Sequence, residues 1–185
     1  MMKKAFFLDR DGVVNVDHGY VGHYENFEYL DGIFSLILYA QEMDYLPVIV
    51  TNQSGIARGL YSEDDFVALM AKVQQDFTAN GIGEVAVYFC PHHQEGNVER
   101  YAVSCTCRKP KPGMMIRAAA ELNIDLANSI MIGDSWRDIE AADSAGIQKS
   151  FYLSNSPVTP AQSRSISTSH NVYHVNDLDE VKAVL

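Results

Sequence analysis

The stretch Phe6-Phe7-Leu8-Asp9-Arg10-Asp11-Gly12-Val13 governs how the rest of the chain is read. An apolar run with strand character ends in two carboxylates one residue apart. Side chains alternate faces along an extended segment, so Asp9 and Asp11 point the same way. Their expected place is the carboxyl end of a buried strand, where open α/β sheets put their ligands. Two carboxylates this close can share one Mg²⁺ and still divide the chemistry, one attacking and one moving protons. An isolated D-x-D is more often an acidic loop after a strand, so the weight falls on its surroundings.

Downstream, strand and helix signals alternate. Lys4–Asp9 reads as a first strand, and Ile33–Tyr45 as a helix with apolar positions at Ile33, Leu36, Ile37, Ala40 and Met43. Pro47–Asn52 is a second apolar strand. Ser62, with Asp65 at the third helical position, opens a helix that runs to about Asn80-Gly81. Val85–Phe89 is a third strand, Met114–Leu122 a helix, and Ile130–Asp134 a fourth strand. A helix over Trp136–Ala145 is stopped by Gly146, and Ser150–Leu153 is a fifth strand. The Ser- and Thr-rich tract 154–169 is expected on the surface, with one short helix after Pro160; Asp177 with Glu180 resembles the capping box of a terminal helix.

Such alternation predicts an α/β fold with a doubly wound, mainly parallel sheet covered on both faces. Short apolar strands without polar alternation suit that burial. At 185 residues the chain is expected to form one domain, 1–185, with a loop insertion but no large cap domain.

Composition narrows the function classes. A formal charge of −10 argues against a broad nucleic-acid-binding face. If the substrate is anionic, positive charge must be concentrated locally. No apolar run approaches the ~20 residues of a membrane span. Met1-Met2-Lys3-Lys4 enters a strand with no cleavage pattern, so the protein is expected in the cytoplasm. Nothing suggests an obligate dimer, and a monomer is expected.

Three strand ends carry polar residues that make sense together. The first offers Asp9 and Asp11. The second offers Thr51 and Asn52, followed by Gln53-Ser54-Gly55, whose hydroxyl, amide and backbone N–H groups suit phosphate oxygens. The fourth offers Gly133-Asp134, with Asp138 one helical turn later. Asp9, Asp11 and Asp134 together supply the hard oxygen ligands Mg²⁺ needs. Arg108-Lys109 provides the basic element, Lys to offset charge on a transferring phosphoryl group and Arg to grip a phosphate.

A second cluster comprises Cys90, His92, Cys105 and Cys107, and it uses all three cysteines of the chain. Three thiolates and one imidazole make a closed tetrahedral Zn²⁺ site of the structural type. Zinc would order the loop at about 90–108 and, through Cys107, place Arg108 and Lys109. His93 is expected beside the site rather than as a donor.

The order Asp9-Arg10-Asp11-Gly12-Val13, Thr51-Asn52, Lys109 and Gly133-Asp134 with Asp138 resembles the four motifs of the haloacid dehalogenase-like phosphatases. The resemblance covers about residues 4–150. It implies a Mg²⁺-dependent phosphomonoester hydrolase in which Asp9 is the nucleophile, forming an aspartyl-phosphate that water hydrolyses. Asp11 would protonate the leaving oxygen and later activate the water, and its carbonyl would also face the metal. Thr51 and Lys109 complete the implied catalytic set.

Within that superfamily the C-x-H…C-x-C-R-K-P pattern is similar to two groups, the heptose-bisphosphate phosphatases and the histidinol-phosphate phosphatases. Val16-Asp17-His18-Gly19-Tyr20-Val21, Asn26-Phe27, the run Thr51 to Gly59 and Cys90-Pro91-His92-His93 favour the first. That likeness implies a small phosphorylated sugar as substrate, in nucleotide-activated heptose and lipopolysaccharide core synthesis. It implies a pocket lined by Asp17, His18, Gly19, Tyr20, Asn52, Gln53 and Ser54, with Arg108 reading the sugar or its second phosphate. Arg58 is a further candidate, because a bisphosphate needs more cation than one Mg²⁺ and one Lys. Ser135 departs from the pattern, standing where those enzymes often carry Lys, and Arg137 is placed to compensate. A phospho-accepting receiver domain is the rival from another class, but it has no use for a Cys₃His loop.

Overall fold

A computed structural model of the chain describes residues 2–185. Six parallel strands form one sheet: β1 (Lys4–Leu8), β2 (Tyr45–Asn52), β3 (Ala86–Cys90), β4 (Ile130–Gly133), β5 (Lys149–Leu153) and β6 (Asn171–Val175). Their order across the sheet is β3-β2-β1-β4-β5-β6. The chain winds outward from β1 in both directions, so the switch point lies between β1 and β4, where doubly wound sheets bind ligands.

Alternation along the strands sorts the core into two layers. Phe6 and Leu8 pack with Ile49, Ile132 and Phe151 beneath α1 (Ile33–Glu42), α3 (Glu63–Ala79) and α7 (Leu178–Val184). Ala5 and Phe7 pack with Val50 and Met131 beneath α4 (Gly113–Leu122) and α5 (Trp136–Ala145). Two further α-helices are short, α2 (Ser54–Arg58) and α6 (Pro160–Arg164), and 3-10 turns lie at Tyr24–Asn26 and Glu99–Tyr101. Among the described residues no helix is long and apolar enough to cross a membrane.

Most of the expected elements lie where the pattern puts them. The capping box of Ser62 and Asp65 is present at the start of α3, and Gly146 closes α5 at φ 88°. Helix α1 ends at Glu42 rather than Tyr45, because Asp44 turns left-handed at φ 62° and the chain enters β2 at once. Strand β6 is a sixth strand beyond the five that the sequence pattern marks. It is an edge strand, Asn-Val-Tyr-His-Val, with most of its side chains half-buried or exposed, so it carries no apolar run.

Between β1 and α1 the chain forms a flap. Val16 N–H donates to Glu28 O at 2.8 Å and Leu30 N–H to Val14 O at 3.0 Å, closing residues 17–27 into a loop over the sheet's carboxyl edge. Tyr24 and Tyr29 both donate their hydroxyls to Asp76 of α3, Tyr29 at 2.6 Å, which anchors the base of the flap.

Candidate active site

Strands β1, β2 and β4 deliver their polar ends to one cleft of about 500 Å³. Asp9 follows β1, and its backbone N–H donates to Ile132 O of β4 at 3.0 Å. Gly12 lets the two strand ends approach. Its φ is +84°, and a Cβ there would stand 2.0 Å from Asp134 Oδ2.

Lys109 lies at the floor of this cleft, 3% exposed. Its Nζ reaches Asp138 Oδ1 at 2.6 Å, Asp9 Oδ1 at 2.9 Å and Val50 O at 2.8 Å, so all three protons are used. Burial works against its charge, but Asp138 and Asp9 outweigh it and hold the ammonium above the ordinary lysine range. Asn52 fixes the main chain beside it, accepting from Lys109 N–H at 3.0 Å and donating to Lys109 O at 3.1 Å.

Oxygens of Asp9, Asp134 and Asp138 lie within 4.8 Å of one another. Burial, then the charge of Asp138 and that of Asp134, pushes Asp9 well above the usual carboxylate range against the pull of Lys109. Asp134 is raised to about 7, again by burial and then by Asp138. One lysine does not neutralise three carboxylates, and crowded oxygens short of positive charge are what a divalent cation relieves. Asp138 is spent on Lys109 and on Ser135 N–H, at 3.0 Å from its Oδ2. Asp9 and Asp134 are therefore the acids free to hold a metal.

The converging set thus differs from the expected Asp9, Asp11 and Asp134. The Asp11 carboxylate lines the cleft but is held elsewhere, taking Arg10 Nη2 at 2.7 Å and Asn15 Nδ2 at 3.0 Å on Oδ1, and Gln53 Nε2 at 3.0 Å on Oδ2. Oδ2 accepts from Gln53 alone, and the backbone carbonyl of Asp11 remains for the metal role that the family resemblance implies.

Other expected residues fall into two groups. Asp17, Gly19, Tyr20, Ser54, Arg58, Arg108 and Ser135 line the cleft as the motifs suggest. Asn52 and Gln53 line it too, whereas Thr51 and His18 are not among its lining residues. Thr51 is 1% exposed and lies beneath, its Oγ1 accepting from Gln53 Nε2 at 2.8 Å. Asn52 and Gln53 reach the wall, but their amides are committed to Lys109 and to Asp11. His18 turns to Glu28, Nε2 to Oε2 at 2.7 Å, on an exposed part of the flap.

The far wall of the cleft is basic. Burial and the nearby charges of Arg137 and Arg58 lower Arg108 below the usual arginine range. Arg58 stands 5.9 Å from the centroid of the Tyr20 ring. Arg137 Nε donates to Ser135 Oγ at 3.3 Å.

Next to this wall Cys90 Sγ, His92 Nδ1, Cys105 Sγ and Cys107 Sγ lie within 4.8 Å of one another, and none of the cysteines is in a disulfide. The contact with Cys90 brings the Cys107 thiol down to about 5, while the same contact, then burial, pushes Cys90 up. A soft-ligand metal fits this donor set.

Arg10, Asn15 and Tyr61 belong to the site without being marked as functional by any motif, while Asp138 is marked only as the companion of Asp134 in the fourth motif. Arg10 had a signal: it shares the parity of Leu8, so the pattern aims a charge at the core. Tyr61 had none, because its contact with Gln53 depends on the turn after α2.

The family model described as HAD-hydrolase-like matches residues 106–181. The chain is 48% identical over 160 residues to the D-glycero-beta-D-manno-heptose-1,7-bisphosphate 7-phosphatase of Vibrio cholerae, covering 86% of each. The Escherichia coli K12 protein of the same name is 43% identical over 157 residues, covering 84% of this chain and 82% of that one. Among solved structures, the D,D-heptose 1.7-bisphosphate phosphatase from B. bronchiseptica, complexed with magnesium and phosphate, superposes with a TM-score of 0.77 at 32% identity, covering 98% of this chain and 97% of that one. A HAD-like phosphatase from Mesorhizobium loti gives 0.86 at 29% identity, covering 98% and 85%. The strand-end acids, the buried lysine and these likenesses agree, and the chain belongs to the D-glycero-beta-D-manno-heptose-1,7-bisphosphate 7-phosphatase family of HAD-like hydrolases.

Proposed function

We propose that this phosphatase removes the 7-phosphate of D-glycero-beta-D-manno-heptose-1,7-bisphosphate through a phosphoryl group carried transiently on Asp9. One observation carries the reading: a single cleft holds Asp9, Asp134 and Lys109 together with a cluster of Arg58, Arg108 and Arg137. A substrate with two phosphates uses both. The acidic end performs the chemistry, and the arginines hold the phosphate that stays.

Asp9 Oδ1 is tied by Lys109 at 2.9 Å and by Arg10 N–H at 2.7 Å, which leaves Oδ2 to attack phosphorus. Mg²⁺, when bound by Asp9 and Asp134, supplies the positive charge that offsets the phosphoryl oxygens. Lys109 adds a fixed, dry cation beside the same atoms. Asp11 gives a proton to the leaving sugar oxygen and takes one back from the attacking water. Zn²⁺ is the metal we assign to Cys90, His92, Cys105 and Cys107, with the structural task of holding Arg108 and Lys109 in place. We read residues 1–185 as one catalytic domain acting as a monomer.

The test is phosphate release with Mg²⁺ from the heptose bisphosphate, from heptose 7-phosphate and from histidinol phosphate at equal concentration. Fastest release from the bisphosphate is expected. Equal rates with heptose 7-phosphate would remove the role given to the arginines, and a preference for histidinol phosphate would refute the substrate.

A further inference from the structure

Arg10 is a buried cation that the reaction as described does not use. It has no exposure, and its Nη2 serves both Asp11 Oδ1 at 2.7 Å and Val21 O of the flap at 2.6 Å. Its Nε and Nη1 find no partner, and its guanidinium faces the rings of Phe66 at 5.5 Å and Phe27 at 5.8 Å. A guanidinium with two unpartnered nitrogens in an aromatic cage weakens the fold relative to an apolar side chain of that volume. Folding alone therefore does not account for it.

The consequence lies on Asp11. A carboxylate oxygen offers two lone pairs in its plane. Oδ1 accepts from Arg10 and Asn15 and is filled, whereas Oδ2 accepts only from Gln53 at 3.0 Å. Gln53 cannot rotate freely. It is 1% exposed, its Nε2 also donates to Thr51 Oγ1 at 2.8 Å, and its Oε1 accepts from Tyr61 O–H at 2.6 Å. The Tyr61 ring is wedged so closely that a Cβ on Gly22 or Gly55 would lie 2.2 or 2.3 Å from it.

We propose that Arg10, Gln53 and Tyr61 are positioning residues that fix the Asp11 carboxyl so that Oδ2 alone carries the proton to the leaving oxygen. This rests on the reading of Asp11 as the proton donor. As the bond from Asp9 to phosphorus forms and the bond from phosphorus to the sugar oxygen breaks, the Oδ2 proton passes to that oxygen. In the return step water gives a proton to Oδ2 while its oxygen bonds to phosphorus and Asp9 is released.

The test uses leaving groups of different need. A sugar oxygen must be protonated to leave, whereas p-nitrophenolate leaves without a proton. We compare first-turnover release of the leaving group from the heptose bisphosphate and from p-nitrophenyl phosphate in wild type, Arg10→Met, Tyr61→Phe and Asp11→Asn. Arg10→Met is expected to slow sugar release about 100-fold and p-nitrophenolate release less than about threefold, within the range general acids supply. Tyr61→Phe removes only a hydroxyl and keeps the ring, so it carries the test if Arg10→Met folds poorly; about a fivefold loss on the sugar alone is expected. Equal losses on both substrates in both variants, with Asp11→Asn still selective for the sugar, would overturn the positioning role. Equal losses in Asp11→Asn would instead remove the proton-donor reading, and the proposal with it.

Discussion

At the residue scale the site is governed by Lys109. Its side chain is dry, and its three hydrogen bonds end on two acids and a strand carbonyl. Lys109→Met would leave Asp9 and Asp138 buried without their shared cation. Unfolding measurements should show a loss of about 3–5 kcal/mol, the usual result of breaking a buried pair from one side. Turnover should be abolished as well. A variant with wild-type stability would mean that the acids do not depend on this lysine. The motif had marked Lys109, yet its surroundings were only partly legible. Asp138 could be placed one turn after Asp134, but its commitment to Lys109 and to Ser135 N–H depends on how α5 meets β4. Asn52 and Gln53 show the same limit. Residue type pointed to phosphate, and the structure uses both amides to hold neighbours.

At the scale of elements, the segment from Cys90 to Lys109 joins the Cys₃His cluster to the cleft. Gly113 N–H donates to Thr106 O at 3.1 Å and Lys111 Nζ to Cys105 O at 2.6 Å, so the cluster and the start of α4 brace each other. The loop is also tied to the body of the protein by Tyr101, whose hydroxyl donates to Glu63 Oε2 at 2.5 Å, and by Val98 N–H, which donates to Ala57 O at 2.9 Å. Cys107→Ser should lose zinc on elemental analysis and become open to protease within residues 92–104. Full zinc content in that variant would contradict the four-ligand assignment. The spacing of Cys90, His92, Cys105 and Cys107 was readable because no packing is needed to see it. The flap was less so. Its anchorage rests on Tyr24, Tyr29 and Asp76, separated by about half a hundred positions in the chain, and no local pattern links them.

At the scale of the molecule, the parallel sheet explains why acids so far apart in sequence meet. β1 sits between β2 and β4, so Asp9 just after β1, Asn52 at the end of β2 and Asp134 just after β4 come to the same edge of the sheet and line one cleft. Alternating apolar strands and amphipathic helices made this architecture legible, and β6 escaped because edge strands need no apolar run. The −10 charge of the whole chain makes the basic wall of Arg58, Arg108 and Arg137 a local exception built for an anion.

The central claim is that phosphate passes through Asp9. The direct measurement is phosphate release by Asp9→Asn, paired with acid quenching of the wild type during turnover and mass analysis of the peptide containing residue 9. The account predicts a phosphoryl group on Asp9 in the wild type, and a folded variant that releases no phosphate. Undiminished release by Asp9→Asn would contradict it.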